Sequence, residues 1–205
     1  MNNYYIPLLP GKKYHLQSRA VGSENLFREP MNYELFLTRF DKYISAIADT
    51  YCYCLLPNHF HVLIRIKEEL TLRKYFKELR HRKYSAENIP AMIMQQFSNL
   101  LNSYSKSYNI KYERKGALFI DYLRREEIKT DNQLAATIFY IHKNPVHHGY
   151  SKGIDQWKWS SFNTILSTNP TKLIRMEVLD LFGGIKEFKD YHTHMINLKE
   201  AVIIE

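Results

Sequence analysis

Apolar positions in the first half of the chain recur with two different periods. Residues 13–21 alternate weakly and precede a Gly-Ser turn signal, which predicts a first strand. Between residues 32 and 48 the apolar positions lie three and four apart, which is typical of an amphipathic helix. Two β-prone runs follow at 51–56 and 60–66, and the Pro-Asn pair between them favours a tight antiparallel connection.

Helical spacing dominates the second half of the chain. Residues 71–83 carry a run of basic side chains, a longer helical segment is predicted over 91–107, and a strand is predicted over 117–123. Helical spacing returns over 131–143. An Asn-Pro pair follows directly, and we expect it to end the helix because a residue before proline is pushed out of the helical region.

The predicted order β-α-β-β-α-β-α favours an α+β fold. Strands interspersed with helices and a hairpin indicate an antiparallel or mixed sheet with helices packed on a face, of the ferredoxin-like kind. Residues 167–172 have the composition of a linker, and apolar positions from 173 onward predict an appended helix or two. We therefore expect one domain over residues 1–166, and a linker with a C-terminal helical extension over 167–205.

Composition places the chain in a broad class. Its 205 residues are 45% hydrophobic, which is enough to bury a core. Cys52 and Cys54 are too close in sequence for a disulfide framework, which fits a reducing compartment and predicts a cytoplasmic protein. No signal-peptide pattern and no apolar run of about eighteen residues occurs, so we expect no membrane segment.

The charge of the chain points to a polyanionic partner. The formal net charge is +8, and neutralising phosphates releases their condensed counterions. The 16 tyrosines and 11 phenylalanines could stack on unpaired bases. Many basic proteins bind no nucleic acid, however, and aromatic side chains usually pack in cores, so the motifs have to decide.

Two histidines stand where a metal site could form. His59 and His61 lie two apart at the start of a predicted strand, where both side chains point to one face and can reach a single ion. The alternative is a pair of surface histidines on a half-buried strand. His192 and His194 have the same spacing but fall in a predicted helix, where positions two apart diverge, so they are not candidates.

Tyr140 and Asn144 lie four apart on the predicted helix over 131–143 and its end, so they share a face. This pairing suits a nucleophile beside a metal ligand, although Asn144 could merely end the helix and Tyr140 could be packing. Two imidazoles with an amide oxygen leave coordination positions open for phosphate and water, and the mixed ligands suit Mn²⁺ or Mg²⁺.

A tyrosine nucleophile would need such an ion. With a pKa of about 10, a phenol is only about a thousandth ionised at neutral pH, a deficit of roughly 4 kcal/mol. A divalent ion on a phosphate oxygen stabilises the transition state by several kcal/mol. Attack by tyrosine leaves a covalent phosphotyrosine that keeps the energy of the phosphodiester for rejoining, which indicates strand transfer more than hydrolysis.

Two segments resemble the signatures of the REP-associated tyrosine transposases, within the HUH single-tyrosine superfamily. They are residues 56–63 (Leu-Pro-Asn-His-Phe-His-Val-Leu) and 140–149 (Tyr-Ile-His-Lys-Asn-Pro-Val-His-His-Gly). Shorter matching pieces occur in the expected order at Tyr14-His15, Arg19-Ala20, 115–119 and 157–162. The resemblance spans about residues 12 to 166.

The resemblance implies a ferredoxin-like catalytic domain with His59, His61 and Asn144 as metal ligands and Tyr140 as the nucleophile. It also implies a substrate of single-stranded DNA that folds into imperfect hairpins and is cleaved near the hairpin foot to give a 5′-phosphotyrosine link. The expected function is that of a metal-dependent single-stranded DNA endonuclease and strand transferase, acting as a monomer or homodimer.

Basic residues in three parts of the chain could contact DNA. The alternative for each is a solvated surface. The candidates are Arg19, Arg73, Lys74, Lys77, Arg80, Arg82, Lys83, Lys115, Arg124 and Arg125. The C-terminal extension could fold over the active site, contact DNA or simply pack as a helix.

Three other functions compete with this one. The first is a domesticated DNA-binding protein that keeps the fold but no longer cuts. The second is a structural zinc site made of Cys52, Cys54, His59 and His61. The third is a metal phosphodiesterase that uses water, in which Tyr140 would barely matter.

Overall fold

The computed structural model describes residues 5–79, 88–120 and 123–197. Its elements are β1 (Lys13–Arg19), α1 (Pro30–Ile44), β2 (Ala48–Leu56), β3 (His59–Ile66), α2 (Glu69–Glu78), α3 (Ile89–Lys111), β4 (Arg124–Ile128), α4 (Asp131–His147), α5 (Phe162–Leu166), α6 (Arg175–Phe182) and α7 (Ile185–Asn197). The strands form one antiparallel sheet in the order β2-β3-β1-β4. This is the ferredoxin-like strand order, so the predicted α+β fold class is confirmed.

Both faces of the sheet are covered by helices. Side chains alternate across a strand, so β3 sends Phe60 to a core shared with α1 and α3, while Leu63 enters a second core on the other face. Helix α4 lies on that second face and contributes Ile138 and Ile141. The apolar stripe of α4 therefore fixes which of its residues face the start of β3.

The described part of the C-terminal extension packs against the second core. Phe188 of α7 is fully buried there, beside residues of α4 and β2. Arg65 of β3 donates to Glu177 of α6 at 2.8 Å and to Asp49 of β2 at 3.1 Å. The predicted C-terminal helices are confirmed. Throughout the described ranges, no helix combines the length and the apolar character that crossing a bilayer requires.

The strand predicted over 117–123 is wrong in its position for the residues that the structure describes, because β4 begins at Arg124. Residues 121 and 122 lie outside the described ranges. Leu118 and Phe119 are buried, but this segment pairs with the chain at the end of β1 through only one isolated β-bridge. In that bridge, the Ile120 amide donates to the Arg19 carbonyl at 3.1 Å. The true β4 has the sequence Arg-Arg-Glu-Glu-Ile at the edge of the sheet. Its polar sequence gives no hydrophobic alternation to recognise.

Helix α4 also differs from the prediction, because it continues through Pro145 to His147. A proline in a helix removes one hydrogen bond, but the ladder resumes when the His148 amide donates to the Asn144 carbonyl at 2.9 Å. After the C-cap residue His148, the chain turns away from the helix at Gly149, whose φ of 72° lies in the left-handed region. The other predicted helices and strands are found with bounds shifted by a few residues. The basic stretch 71–83 lies partly in α2 and runs partly outside the described residues.

A buried pair of histidines joins α4 to α7. The Nδ1 atom of His142 lies 3.0 Å from Nε2 of His192, and Nδ1 of His192 donates to the Phe188 carbonyl at 2.8 Å. Since that carbonyl only accepts, His142 must donate to His192, and its Nε2 then accepts from Ser161 at 3.0 Å. Burial lowers the pKa of His192 to about 4 and also lowers that of His142. His194 is exposed, which confirms that this His-x-His spacing diverges.

We expect the free energy of unfolding to fall as the pH is lowered from about 7 to about 5. Histidines of the unfolded chain take up protons below their ordinary pKa, while the pKa of buried His192 stays at about 4. Each tenfold difference in proton affinity corresponds to about 1.4 kcal/mol. Urea unfolding at several pH values should show a weaker fall in His192→Phe than in wild type.

The exposed His194 supplies the matched control, because His194→Ala should keep the wild-type pH dependence. His192→Phe should also lower stability near pH 7 by about 1–3 kcal/mol, since His142 loses its buried partner. A His192→Phe variant with the full wild-type pH dependence would show that the pair is not responsible.

Candidate active site

A cavity of about 530 Å³ lies at one end of the strands, where β1 ends and where β3 and β4 begin. Arg19, His59, His61 and Arg124 line it from the strands, and Tyr140 lines it from α4. All five are residues that the sequence analysis singled out. The fold therefore gathers one group of candidates from four different elements.

The paired histidines point to the same side of the sheet, as the strand spacing predicted. Their ring centroids are 5.1 Å apart, and the ring planes are nearly perpendicular. His61 is 2% exposed, whereas His59 is half-buried at the cavity wall. One imidazole is thus deep in the cavity and the other is near its mouth.

Helix α4 brings Tyr140 over these histidines. The phenol ring lies 5.6 Å from the ring of His61 in a perpendicular arrangement, and it is half-buried. Asn144, one helical turn later, is 1% exposed, and the presence of its side chain beside His59 affects the pKa of that imidazole. The structure thus brings His59, His61, Tyr140 and Asn144 together, while their chemical roles remain predictions.

Hydrogen bonds fix the orientation of His59 and Asn144. Nδ1 of His59 donates to Oδ1 of Asn58 at 2.7 Å, which leaves the Nε2 lone pair free. Nδ2 of Asn144 donates to the Tyr140 carbonyl at 2.9 Å. The Oδ1 atom of Asn144 is buried and has no partner that meets hydrogen-bond geometry. The Asn144 side chain is nevertheless close enough to His59 to raise the pKa of that imidazole, which opposes the effect of burial.

His61 is oriented by another buried histidine, His15 of β1. Nδ1 of His61 lies 3.0 Å from Nε2 of His15, and the rings stack with centroids 5.2 Å apart. The His15 ring also meets the Tyr140 ring edge-on at 5.9 Å. In the sequence, His15 stands out only as part of the family resemblance. Its place follows from the strand register, in which Gln17 pairs with His61 and His15 is two residues away on the same face.

Burial keeps the three imidazoles neutral. It lowers the pKa of His15 and of His59 to about 4, with smaller contributions in the same direction from Arg124 and His148 respectively. It also lowers the pKa of His61 well below its usual range. Neutral imidazoles keep a lone pair available at neutral pH, and a metal ligand requires one.

The cavity is positively charged at its rim. Arg19 is exposed and Arg124 is half-buried, and both line the walls. Among the lining residues that the structure describes, none is an aspartate or glutamate. A phosphodiester would therefore meet guanidinium groups and hydrogen-bond donors without a facing carboxylate.

The other predicted DNA contacts that the structure describes do not line this cavity. Arg125 points to the opposite face of β4, where its guanidinium donates to the Ile6 carbonyl at 2.8 Å and to the Leu123 carbonyl at 3.1 Å. Lys115 is exposed in the connection that follows α3. A DNA contact by either residue stays a prediction.

Helix α2, which is basic, begins just after the C-terminal end of β3, whereas His59 is at the N-terminal end of that strand. Phe76 of α2 is fully buried, so it offers no stacking surface. Arg73 forms an ion pair with Glu69, and Lys74 and Lys77 are exposed. The three remaining candidates, Arg80, Arg82 and Lys83, lie outside the described residues.

The structural zinc site is not formed. Cys52 and Cys54 are fully buried in the second core, where burial raises the pKa of both thiols. Across residues 5–79, 88–120 and 123–197, no three His, Cys, Asp or Glu side chains are grouped to hold a metal ion. The buried polar atom near His59 is instead the amide oxygen of Asn144, whose role as a third ligand stays a prediction.

Comparisons with known proteins agree with the motifs. No family model matches the chain. A Haemophilus influenzae protein named "Putative REP-associated tyrosine transposase" is 29% identical over 121 residues, which are 56% of this chain and 59% of that protein. The match thus spans less than two thirds of the relative.

A solved structure of a REP-associated tyrosine transposase bound to a REP hairpin has the same fold. Its TM-score with this chain is 0.60 at 14% identity, and the match covers 83% of this chain and 89% of the other. The resemblance to the REP-associated tyrosine transposases is therefore confirmed, in sequence by the relative and in fold by this structure.

We expect His59 to be neutral at about pH 6 in the metal-free protein and to carry its proton on Nδ1. Burial lowers its pKa to about 4, and the Asn58 oxygen can only accept. Long-range ¹H–¹⁵N NMR of the ring nitrogens measures this directly. In Asn58→Ala, the acceptor is lost and the population with the proton on Nε2 should rise.

The exposed ring of His194 provides the internal reference for this NMR measurement. A wild-type His59 that is protonated on Nε2 alone, or that is charged at about pH 6, would contradict the geometry of the cavity.

Proposed function

We propose that this chain is a metal-dependent, transposase-type enzyme that nicks and rejoins single-stranded, hairpin-forming DNA through Tyr140. The observation that carries the proposal is the shared cavity, in which the Tyr140 phenol ring lies 5.6 Å from the ring of His61. The sequence relative bears a transposase name, and the structural neighbour is bound to a REP hairpin. A basic cavity suits a DNA substrate.

The residues present fit a divalent metal ion. His59 and His61 each keep one ring nitrogen available, because the other is engaged by Asn58 or His15. The buried Asn144 oxygen lacks a partner, which is costly unless a ligand supplies one. Two neutral nitrogens and one oxygen suit Mn²⁺ or Mg²⁺, and such an ion would act as a Lewis acid on the scissile phosphate.

The outer hydrogen bonds of these ligands have a role of their own. Asn58 and His15 hold the imidazole planes, and the Tyr140 carbonyl holds the Asn144 amide. Partners of this kind fix the tautomer and direction of a ligand before the metal binds. They are positioning residues, since they act through the groups that would touch the metal.

In the proposed reaction, the Tyr140 oxygen bonds to the scissile phosphorus as the bond from phosphorus to the 3′ oxygen breaks. The phenol proton passes to solvent, and the departing 3′ oxygen takes up a proton. The products are a 5′-phosphotyrosine and a free 3′-hydroxyl. Attack of a 3′-hydroxyl on the phosphotyrosine reverses these steps and joins strands. Arg19 and Arg124 at the cavity rim hold the phosphate.

We expect Tyr140→Phe to abolish a covalent protein–DNA adduct while leaving DNA binding within about twofold of wild type, since only the attacking oxygen is removed. The adduct is measured on a denaturing gel with end-labelled hairpin DNA that carries single-stranded flanks, in the presence of Mn²⁺. The matched control is Tyr43→Phe, in α1, which does not line the cavity.

Each of the competing functions gives its own outcome in this experiment. Cleavage without an adduct, unaffected by Tyr140→Phe, would identify a phosphodiesterase that uses water. Binding of the hairpin without cleavage by wild type, in Mn²⁺ or Mg²⁺, would identify a DNA-binding protein that does not cut. Either result would overturn the proposed nucleophile.

We also expect Asn144→Ala to weaken Mn²⁺ binding. Loss of a group that only orients a metal ligand lowers metal affinity by roughly 10- to 100-fold, and loss of a ligand itself should lower it by at least as much. Isothermal titration calorimetry without DNA separates this effect from activity. His194→Ala should bind Mn²⁺ like wild type, because that side chain is exposed outside the cavity. Equal affinities in Asn144→Ala and wild type would remove Asn144 from the metal site.

A further inference from the structure

Three aromatic rings lead outward from the cavity, and we call them the aromatic shelf: His148, Tyr150 and Trp157. His148 and Tyr150 line the cavity itself. The ring centroids of His148 and Tyr150 are 6.4 Å apart, and those of Tyr150 and Trp157 are 5.7 Å apart, with planes tilted by 35°. The proposed function uses none of these rings.

The backbone holds Tyr150 at the end of the helix that carries Tyr140. Gly149 turns the chain with a φ of 72°, and its amide donates to the Val146 carbonyl at 3.1 Å. The Tyr150 amide then donates to the Pro145 carbonyl at 2.8 Å. These bonds close the C-terminus of α4, so the position of the Tyr150 ring is tied to that of Tyr140.

Trp157 supports the Tyr150 ring from one side. Its indole nitrogen donates to the Leu55 carbonyl at 2.9 Å, which anchors the half-buried ring to β2. Tyr150 itself is 40% exposed. The neighbouring Trp159 differs, because its ring already stacks on Tyr33 at 4.4 Å and lies 4.6 Å from the Lys158 ammonium group. His148 is exposed as well, but Tyr150 has the larger ring of the two, and its ring rests on the anchored Trp157.

We propose that Tyr150 is a stacking platform for an unpaired base of a nucleotide adjoining the scissile phosphate. This inference rests on the proposed function, because it assumes that the phosphate lies between the cavity arginines and Tyr140. A base stacked on Tyr150 would hold the strand so that the phosphate stays facing the phenol. Tyr150 was not among the DNA contacts predicted from the sequence.

The chemistry of the cavity favours a base over other flat ligands. Arg19 and Arg124 attract the adjoining phosphates, and the described lining residues include no carboxylate that would repel them. The base must be unpaired, since neighbouring pairs cover both faces of a base inside a duplex. Stacking tolerates any sequence because every base has a π face.

The test compares two probes of the same length, an oligothymidylate of about ten nucleotides and an abasic chain with the same phosphates. Binding is measured by fluorescence anisotropy without divalent metal, so that no cleavage occurs. Tyr150→Leu should weaken oligothymidylate binding by about 5- to 150-fold, the range expected for loss of one stacked base. Its affinity for the abasic chain should stay at the wild-type value.

Two further variants separate stacking from a damaged fold. Tyr150→Phe and Tyr150→Trp keep an aromatic face, so both should bind oligothymidylate within about threefold of wild type or more tightly. Equal urea midpoints for all variants exclude a loss of stability. Wild-type binding of oligothymidylate by Tyr150→Leu, or an equal loss on both probes, would overturn the proposal.

Failure of this inference is distinguishable from failure of the proposed function. A Tyr140-dependent adduct, together with wild-type oligothymidylate affinity in Tyr150→Leu, would support the proposed function and exclude Tyr150 as a stacking platform. Absence of any adduct, with the Tyr150 effect on oligothymidylate present, would leave a single-strand binding site without the transposase chemistry.

Discussion

The packing of α4 across the sheet is the interaction on which the candidate site depends. Ile138 and Ile141 enter the core on the face of the sheet to which the paired histidines of β3 point. The same helix carries Tyr140 and Asn144 on its adjoining surface. One helical turn is about 5.4 Å, so a slip of α4 by a single turn would take the phenol away from the imidazoles. Helix α7 packs against α4 and stabilises its position through the buried hydrogen bond between His142 and His192.

Burial and hydrogen bonds together set the state of the polar groups in the site. Burial removes the positive charge from the imidazoles, and Nδ1 of each paired histidine is engaged by a hydrogen bond, with Asn58 for His59 and with His15 for His61. The exception to this hydrogen-bonded order is the Asn144 oxygen, which is buried without a partner. A buried oxygen in this condition lowers stability unless it has a ligand, so its presence beside two neutral imidazoles supports the proposed metal site.

Local patterns were enough to find the central residues, whereas the supporting residues required the fold. The spacing of His59 and His61 on a strand, and of Tyr140 and Asn144 on a helix, is set by the backbone period and is visible in sequence. The role of His15 depends on the register between β1 and β3, which no local pattern encodes. Tyr150 likewise acquires its position from the turn that closes α4.

The errors in the sequence analysis have physical causes as well. The polar edge strand β4 lacks the alternation that marks a half-buried strand, whereas the nearby residues 117–123 are apolar enough to predict a strand there. Pro145 was expected to stop α4, but so near the C-terminus it costs one hydrogen bond and the remaining turn still forms.

Identification of the residue that carries the DNA tests the central claim most directly. Protease digestion of the covalent complex, followed by mass spectrometry, locates the nucleotide-bearing peptide. The account predicts a single modified peptide containing Tyr140, linked through the 5′ phosphate of the DNA. A nucleotide on any other side chain, or linkage through the 3′ end, would contradict it.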